Sequence, residues 1–352
     1  MKAPKLILLS LAITLSLASN LAQAKAADDV QIDGMQIAQL MQMDCREVTK
    51  LETEDVLEAP VKKSGKMIAA KLDATPVISW VDPDVKLKAV LVCVHGLGLH
   101  KENYKELGER IAKEGYGVYS MDVRGFGEFQ HMPGDTVPVE RKCDFVKCLD
   151  DVCEGLKVAR AMHPGVPVFV LGESMGGAIA MRVTEEHPEL MDGLISSVPG
   201  AKRYGQGKSA LHVGLKLLTG GTNAKVDVSK SVVSQSTQKE SLKEEWSNDK
   251  LARFTLSPVE LIQFQHFMES NEKNASKITT TPVLMVQGDA DRLVRQDDNQ
   301  AIIERIPSKD SQLVFVHGGE HLIFEEGQFD ESAVKMLCSW IDEHSKKLSA
   351  TK

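Results

Sequence analysis

The sequence lacks two features that would point to whole classes of function. After residue 24 it has no apolar run of the roughly 20 residues that a membrane-spanning helix needs. It also has no excess of basic charge, because 42 Lys and Arg residues are outnumbered by 50 Asp and Glu residues, for a net charge of -8. An acidic surface repels nucleic-acid phosphates and anionic lipid headgroups. We therefore expect no nucleic-acid partner and no membrane span in the mature chain.

Complete metal and nucleotide motifs are missing as well. Gly207-Lys208-Ser209 resembles the end of a phosphate-binding loop, but residue 202 is Lys where the first glycine is required. His317 and His321 have helical spacing, yet two glycines lie between them and no HExxH motif accompanies them. The sequence thus implies no metal and no organic cofactor.

The first 24 residues have the pattern of a secretory signal peptide. Lys2 and Lys5 precede an apolar run from Leu6 to Leu17, and Ala22-Gln23-Ala24 offers a small-residue cleavage site. A polar N-terminal segment, residues 25–76, follows. We expect an exported protein, periplasmic or secreted, after cleavage. The alternative is a protein tethered to the membrane by an uncleaved N-terminus.

Six cysteines are of interest because disulfides persist in exported proteins. Cys143, Cys148 and Cys153 are predicted to share one helix, in which neighbours five residues apart are too distant to bond to each other. Cys93 lies in an apolar run, where a buried free thiol is expected. If bridges exist, we expect Cys45 or Cys338 to pair with the helix that carries the other three.

From residue 77 onward the sequence alternates short β-rich runs with longer amphipathic segments, which is typical of strand–helix–strand crossovers. Continuous apolar runs such as Val90-Leu91-Val92 indicate strands buried on both faces. The predicted fold class is α/β, with a mostly parallel central sheet covered by helices on both faces. The predicted strands are Val77–Val81, Ala89–Val94, Gly117–Met121, Val166–Leu171, Gly193–Val198, Pro282–Val286 and Gln312–Val316. The predicted helices are Asn103–Glu114, Cys143–Met162, Met175–His187, Asp297–Arg305 and Glu331–Lys346.

One interval interrupts this alternation. About 80 residues before Pro282 contain no clear strand, which is more than a single crossover needs. Ser257, Pro258 and Glu260 mark a helix start there, with Ser as the cap and Glu closing a capping box. We predict a core formed by residues 77–199 and 281–352, with a helical cap inserted at residues 200–280.

The most informative motif is Gly172-Glu173-Ser174-Met175-Gly176, which follows an apolar strand and precedes a helix-forming segment. A serine on such a sharp strand-to-helix turn has a strained backbone and an exposed hydroxyl, and the flanking glycines avoid collisions with neighbouring backbone. Ser174 is therefore the candidate nucleophile, with a solvent-exposed turn serine as the alternative.

A serine hydroxyl needs a base, and the base needs a group that orients it. In folds of this kind the acid and then the histidine follow the serine, on loops after late strands. His321 lies in the loop after the last predicted strand and is the candidate base, with His317 as its rival. Asp291 is the candidate acid in the loop after Val286, because Asp289 is placed to cap the local turn.

The reaction also needs donors for a developing oxyanion. The Met175 amide directly follows the nucleophile, and the Leu97 amide lies in His95-Gly96-Leu97-Gly98, a glycine-rich loop after a buried strand. We expect His95 to brace this loop by hydrogen bonding rather than to titrate in the reaction.

This combination of motifs resembles the serine α/β-hydrolases of the monoacylglycerol lipase/lysophospholipase group. The match rests on the loop at His95, the turn Asp122-x-Arg124-Gly125-x-Gly127, the motif around Ser174, Gly288-x-x-Asp291 and His321. The resemblance implies carboxylic-ester hydrolysis with a mobile cap over the pocket. Three features depart from that group: the exported N-terminus, the divergent segment at residues 28–66, and a cap without a recognisable substrate-specific motif.

The interpretation of the sequence is an exported serine hydrolase that cleaves monoacylglycerol, lysophospholipid or similar acyl esters through Ser174, His321 and Asp291. The alternatives are acyl transfer or thioester hydrolysis by the same residues, or a hydrolase-fold binding protein without activity. Apolar cap residues are expected either to line an acyl pocket or to pack against the core. The candidates for substrate binding are Leu211, Leu215, Leu218, Leu261, Phe264 and Phe267.

Overall fold

The computed structural model describes residues 75–131, 142–204, 213–217, 219–222, 224–325 and 328–350. The predicted signal peptide and Cys45 lie outside the described residues, as does all but the end of the N-terminal segment. The strands are β1 Val77–Trp80, β2 Ala89–Val94, β3 Tyr116–Met121, β4 Val168–Glu173, β5 Gly193–Ser197, β6 Val226–Asp227, β7 Thr255–Leu256, β8 Val283–Gly288 and β9 Ser311–Val316. The helices are α1 Lys105–Ala112, α2 Phe145–Met162, α3 Met175–Glu186, α4 Ser229–Ser236, α5 Glu240–Asn248, α6 Pro258–Glu269, α7 Asn271–Ala275, α8 Gln296–Arg305 and α9 Glu331–Ala350.

Seven strands form one sheet in the order β1-β3-β2-β4-β5-β8-β9. Only the β1–β3 pair is antiparallel, so the mostly parallel α/β sheet predicted from the sequence is confirmed. β2, β4, β5 and β8 are buried along their whole lengths, as the continuous apolar runs predicted. Because ligands bind at the carboxyl ends of such strands, the loops that follow the six parallel strands are the ones that can build a site.

Helices cover both faces of this sheet, and the alternating side chains of β2 explain why. Val90, Val92 and Val94 pack in the hydrophobic cluster that includes side chains of α2 and α3. Leu91 and Cys93 point to the opposite face and pack in the cluster that includes α1 and α9. Successive strand side chains point to opposite faces, so an unbroken apolar strand needs a helical layer on each side.

The segment between β5 and β8 is mainly helical and contains α4 to α7. It also contains a small antiparallel sheet formed by β6 and β7, which the sequence did not predict because two-residue strands leave no periodic pattern. The predicted capping box is present: Ser257 Oγ accepts the Glu260 amide at 3.2 Å, and a Glu260 carboxylate oxygen accepts the Ser257 amide at 2.9 Å. The domain boundaries drawn around this segment stay a prediction.

A buried ion pair ties this segment to the core. Arg253 donates to both carboxylate oxygens of Glu260, at 2.9 and 3.0 Å, and to the Gly125 carbonyl at 3.0 Å. Glu260 also accepts the Cys143 amide at 3.0 Å. Both charged side chains are at most 4% exposed. A carboxylate buried this deeply is tolerated because several donors surround it.

The structure corrects two expectations about the cysteines. Cys143 precedes the helix, because the side chain of Asp144 caps α2 by accepting the amides of Val146 and Lys147. Cys338 cannot bridge to α2, because it packs on the face of the sheet opposite to the one that α2 covers. Within the described residues all five cysteines are free, including the buried Cys93 as predicted.

Within the described ranges, no helix is both long enough and apolar enough to span a membrane. The apolar N-terminal run lies outside those ranges.

Replacing Glu260 by Ala should lower the free energy of unfolding by about 3–5 kcal/mol, because it leaves Arg253 buried without its carboxylate partner. Urea denaturation followed by circular dichroism measures this change. Glu269→Ala, at the exposed end of the same helix, is the matched control and should change stability by less than about 0.5 kcal/mol. Equal effects of the two substitutions would contradict the role of the pair.

Candidate active site

Ser174 occupies a strained turn at the centre of the sheet. It lies between the last residue of β4 and the first residue of α3, with φ +52° and ψ -112°. This φ is unusual for a residue with a side chain, and such strain is retained where the surrounding structure enforces it. The Ser174 amide donates to the Ser197 carbonyl of β5 at 2.8 Å, which holds the turn on the sheet.

The two glycines of the motif are required by close approach of the backbone. A Cβ on Gly172 would lie 2.2 Å from the carbonyl oxygen of Gly176. A Cβ on Gly176 would lie 2.0 Å from the carbonyl oxygen of Val94, at the end of β2. Both distances are well inside van der Waals contact, so the turn can exist in this form only with glycine at both positions.

His321 and Asp291 meet at the carboxyl end of the sheet although thirty residues separate them. His321 Nδ1 lies 2.9 Å from Asp291 Oδ2, and both side chains are almost fully buried. Because a carboxylate can only accept, Nδ1 carries a proton, and in the neutral imidazole Nε2 is then the acceptor. That tautomer is the one a general base next to a serine requires.

Asp291 is kept in its charged form by its partners. Burial by itself raises the pKa of the carboxyl, but His321 and the backbone amides outweigh it and hold the pKa below its ordinary value. The amides are those of Leu293 and Val294, which donate to Asp291 Oδ1 at 2.7 and 3.0 Å. The site therefore has a fixed negative charge directly behind the imidazole.

The rival residues predicted from the sequence form a separate pair at the surface. His317 Nδ1 lies 2.8 Å from Asp289 Oδ2, and the His317 side chain is fully exposed. Asp289 also accepts the Gly318 amide at 2.7 Å, so it holds the turn after β9. The loop after β8 thus turns the Asp289 carboxylate outward and the Asp291 carboxylate into the site.

The loop after β2 is braced by His95, as the sequence predicted. His95 Nδ1 lies 2.8 Å from the Gly96 carbonyl oxygen, and His95 Nε2 accepts the Val123 amide at 2.9 Å. Burial lowers the pKa of His95 to about 3, so the ring stays neutral at physiological pH. The loop carries the Leu97 amide. The Met175 amide is the first of α3, where the leading N–H groups have no partner within the helix.

Ser174, His321 and Leu97 line one cavity of about 550 Å³, a volume that includes space open to solvent at its mouth. No hydrogen bond joins Ser174 Oγ to His321 among the described residues; such catalytic bonds often tighten only when substrate is bound. The remaining lining is mostly apolar. From the segment between β5 and β8 it includes Val232, Val233, Trp246, Phe254, Phe264 and Met268.

The predicted substrate-binding residues differ in whether they line this cavity. Phe264 lines the cavity. Phe267 stacks on Phe145 with ring centroids 4.7 Å apart, and Leu261 packs against the same core cluster, so the structure does not bring these two to the cavity. Leu215 is 53% exposed. Leu211 and Leu218 lie outside the described residues.

Sequence reasoning missed the cavity residues that α4 and α5 supply. Trp246 lies four residues after Leu242, and these two and Val233 pack in one apolar cluster. That helical spacing was a usable signal, but the Ser, Lys and Glu residues around it made the stretch look polar. The role of Glu173 was also missed: its carboxylate accepts the backbone amides of residues 323–325 at 2.7 to 3.0 Å.

Comparison with known proteins gives relatives that span most of this chain. The monoacylglycerol lipase of Mycolicibacterium smegmatis is 24% identical over 262 residues, which cover 74% of this chain and 91% of that protein. The monoglyceride lipase of Mus musculus is 28% identical over 261 residues, which cover 72% and 82%.

Solved structures agree on the fold. A soluble variant of monoglyceride lipase from Saccharomyces cerevisiae, in complex with a substrate analogue, superposes with a TM-score of 0.64 at 20% identity and covers 77% of this chain and 92% of that one. The monoacylglycerol lipase of Paleococcus ferrophilus gives 0.60 at 22%, with 77% and 99% covered. Residues 85–328 match the family described as Serine aminopeptidase, S33. The α/β-hydrolase resemblance drawn from the motifs is therefore confirmed, and the chain belongs to the serine aminopeptidase S33 family.

Proposed function

We propose that this carboxylic ester hydrolase cleaves acyl esters with Ser174 as nucleophile, His321 as general base and Asp291 as the group that orients the base. The observation that carries the proposal is the 2.9 Å contact between His321 Nδ1 and the buried Asp291 carboxylate, beside a cavity that Ser174 also lines. Through this contact the Asp291 carboxylate orients and stabilises the imidazole, as activation of a serine hydroxyl requires.

The reaction proceeds in two halves. Ser174 Oγ attacks the ester carbonyl carbon while its proton passes to His321 Nε2, and the amides of Leu97 and Met175 stabilise the oxyanion. Collapse of the tetrahedral intermediate breaks the ester C–O bond, and His321 gives its proton to the departing alcohol. Water then attacks the acyl-enzyme with His321 again as base, which releases the carboxylic acid and restores Ser174.

The substrate class follows from the lining of the cavity. Apolar side chains of α4, α5 and α6 line the space next to Ser174, and such a surface suits an acyl chain. Arg203 is also part of the lining, where it donates to Gln265 Oε1 at 2.7 Å. Two of the compared proteins are named as monoacylglycerol or monoglyceride lipases. We therefore propose monoacylglycerols, lysophospholipids or similar acyl esters as substrates.

Ser174→Ala should lower kcat/KM for p-nitrophenyl esters at least about a thousandfold, because it removes the nucleophile. Intact mass after treatment with a fluorophosphonate should show one adduct on the wild type and none on the variant. A panel of monoacylglycerols, thioesters, esters with added alcohol acceptors, and aminoacyl anilides separates ester hydrolysis from acyl transfer, thioesterase and peptidase activity. Retained esterase activity in the variant would remove Ser174 from the mechanism.

Asp291→Asn should lower kcat about ten-thousandfold, because an amide can donate to Nδ1 and hold the imidazole in the wrong tautomer. Asp289→Asn is a matched control in the same loop, since the Asp289 side chain contacts the exposed His317 and the Gly318 amide instead of His321. It should leave kcat within about twofold, as surface substitutions usually do. A larger loss from the Asp289 variant than from the Asp291 variant would reverse the assignment.

We also propose that the protein is exported after cleavage behind Ala24, from the charge, apolar run and small-residue site of the first 24 residues. N-terminal sequencing of the protein recovered from the periplasm or the medium should begin at Lys25. Recovery of the intact N-terminus from the membrane fraction would support the tethered alternative instead.

A further inference from the structure

Two buried glutamates connect three separate parts of the site. Glu173, directly before Ser174, accepts the amides of Ile323, Phe324 and Glu325 at 2.7, 3.0 and 2.9 Å. These amides belong to the segment just after His321. The Glu173 side chain therefore joins the turn of the nucleophile to the loop of the base.

The Glu325 side chain continues this connection to the loop after β2. Its Oε1 accepts the Gly96 amide at 3.0 Å, across 229 residues of sequence. Glu325 is 0% exposed, and among the described residues its Oε2 has no hydrogen-bond partner. A deeply buried carboxylate normally gathers several donors, so a side chain with a single amide donor does not have the surroundings of a charged group.

The geometry points to Glu325, held as an uncharged carboxylic acid, as a positioning residue that fixes the His95–Gly96 peptide relative to Ser174 and His321. This peptide directly precedes the one that carries the Leu97 amide. This inference rests on the proposed function, in which the Leu97 amide binds the oxyanion. Nothing in the proposed chemistry requires Glu325 to touch the substrate.

The physical basis is the freedom of a glycine backbone. Gly96 has two soft torsions, and its lack of a side chain leaves them weakly restrained. The Gly96 amide is held by Glu325, and the Gly96 carbonyl is held by His95 Nδ1 at 2.8 Å. Both peptide groups that flank Gly96 are thus fixed. Because the carbonyl of Gly96 and the N–H of Leu97 belong to one planar peptide, fixing the carbonyl sets the direction of the donor.

The titratable groups that face Glu325 favour its neutral form. Burial and the charge of Glu173 raise the pKa of Glu325 well above its ordinary value, and the hydrogen bond from the Gly96 amide offsets only part of this. Burial also raises the pKa of Glu173, which its own hydrogen bonds and His321 partly offset. Cys93 and Tyr104 lie close to both carboxyls, and burial raises the pKa of each. Among the residues that the structure describes, the groups that act on Glu325 include no cation.

The test compares two substitutions at one position. Glu325→Gln keeps a neutral side chain with an acceptor for the Gly96 amide, and its kcat at pH 7 should stay within about threefold of the wild type. Glu325→Ala removes the acceptor and should lower kcat about a hundredfold with a smaller change in KM, similar to the loss of an oxyanion donor. Glu331→Gln, an exposed carboxylate on α9, is the control and should leave kcat unchanged.

Binding of a trifluoromethyl ketone separates positioning from a purely structural role. This probe adds to Ser174 and forms an oxyanion, so Glu325→Ala should weaken its affinity by the same factor as kcat/KM. A variant that is merely less stable would lower the melting temperature and leave the affinity of the folded fraction unchanged. That second result would overturn the inference.

The pH profile tests the charge state. Since the folded state raises the pKa of Glu325, the folded state binds the extra proton, and its contribution to stability is lost as pH rises through the folded pKa. The wild type should therefore lose kcat and melting temperature toward alkaline pH, and Glu325→Gln should lack that loss. If Glu325→Ala does not fold, the comparison of the wild type with Glu325→Gln is sufficient by itself. An identical loss of kcat and melting temperature at alkaline pH in these two proteins would overturn the inference.

Failure of the inference is distinguishable from failure of the proposed function. Fluorophosphonate labelling of Ser174 together with unchanged kcat in Glu325→Ala would leave the hydrolase mechanism standing and remove the positioning role. A loss in Glu325→Gln as large as in Glu325→Ala would show that the charge is needed and would overturn the neutral form. Absence of labelling at Ser174 would instead reject the function itself.

Discussion

The close packing of backbone around Ser174 constrains the rest of the structure. The turn between β4 and α3 brings Gly176 so near to Val94 that no side chain fits between them. Because β2 and β4 are paired along their lengths, this contact also fixes where the loop after β2 begins. The strained φ of Ser174 is maintained by that packing. The site is therefore built around a turn that the sheet holds in place and that cannot relax locally.

Much of the fold could be predicted from the sequence because its signals are local. The buried strands are continuous apolar runs, and Ala89–Val94 was predicted with the bounds it has in the structure. The helix at Pro258 was predicted from its cap and capping box, both of which involve residues within three positions of each other. Signals of this kind act over short distances along the chain, so they can be read without knowing what the segment packs against.

Ser174, Asp291 and His321 could be chosen as candidates because each follows a strand in a fixed order. Their catalytic roles stay a proposal. The lining of the cavity was not predictable in the same way. Phe264 and Phe267 lie three residues apart on one helix and both stack on Phe145, yet of the two Phe264 alone also lines the cavity. Periodicity assigns both to an apolar face, and only the position of the neighbouring helix decides what that face contacts.

Two carboxyl groups in the site show why residue type does not determine charge. Asp291 is buried, but it faces the His321 imidazole and accepts two backbone amides through Oδ1, so its pKa is lowered and it remains an anion. Glu325 is also buried, but it accepts a single amide and lies near the second acid Glu173, so its pKa is raised. Burial acts in the same direction on both, and the partners determine the outcome. In the proposed mechanism, the charged acid lies where a protonated imidazole has to be stabilised. The acid for which we infer a neutral form lies near the buried Glu173 carboxyl, where a second negative charge would be repelled by the first.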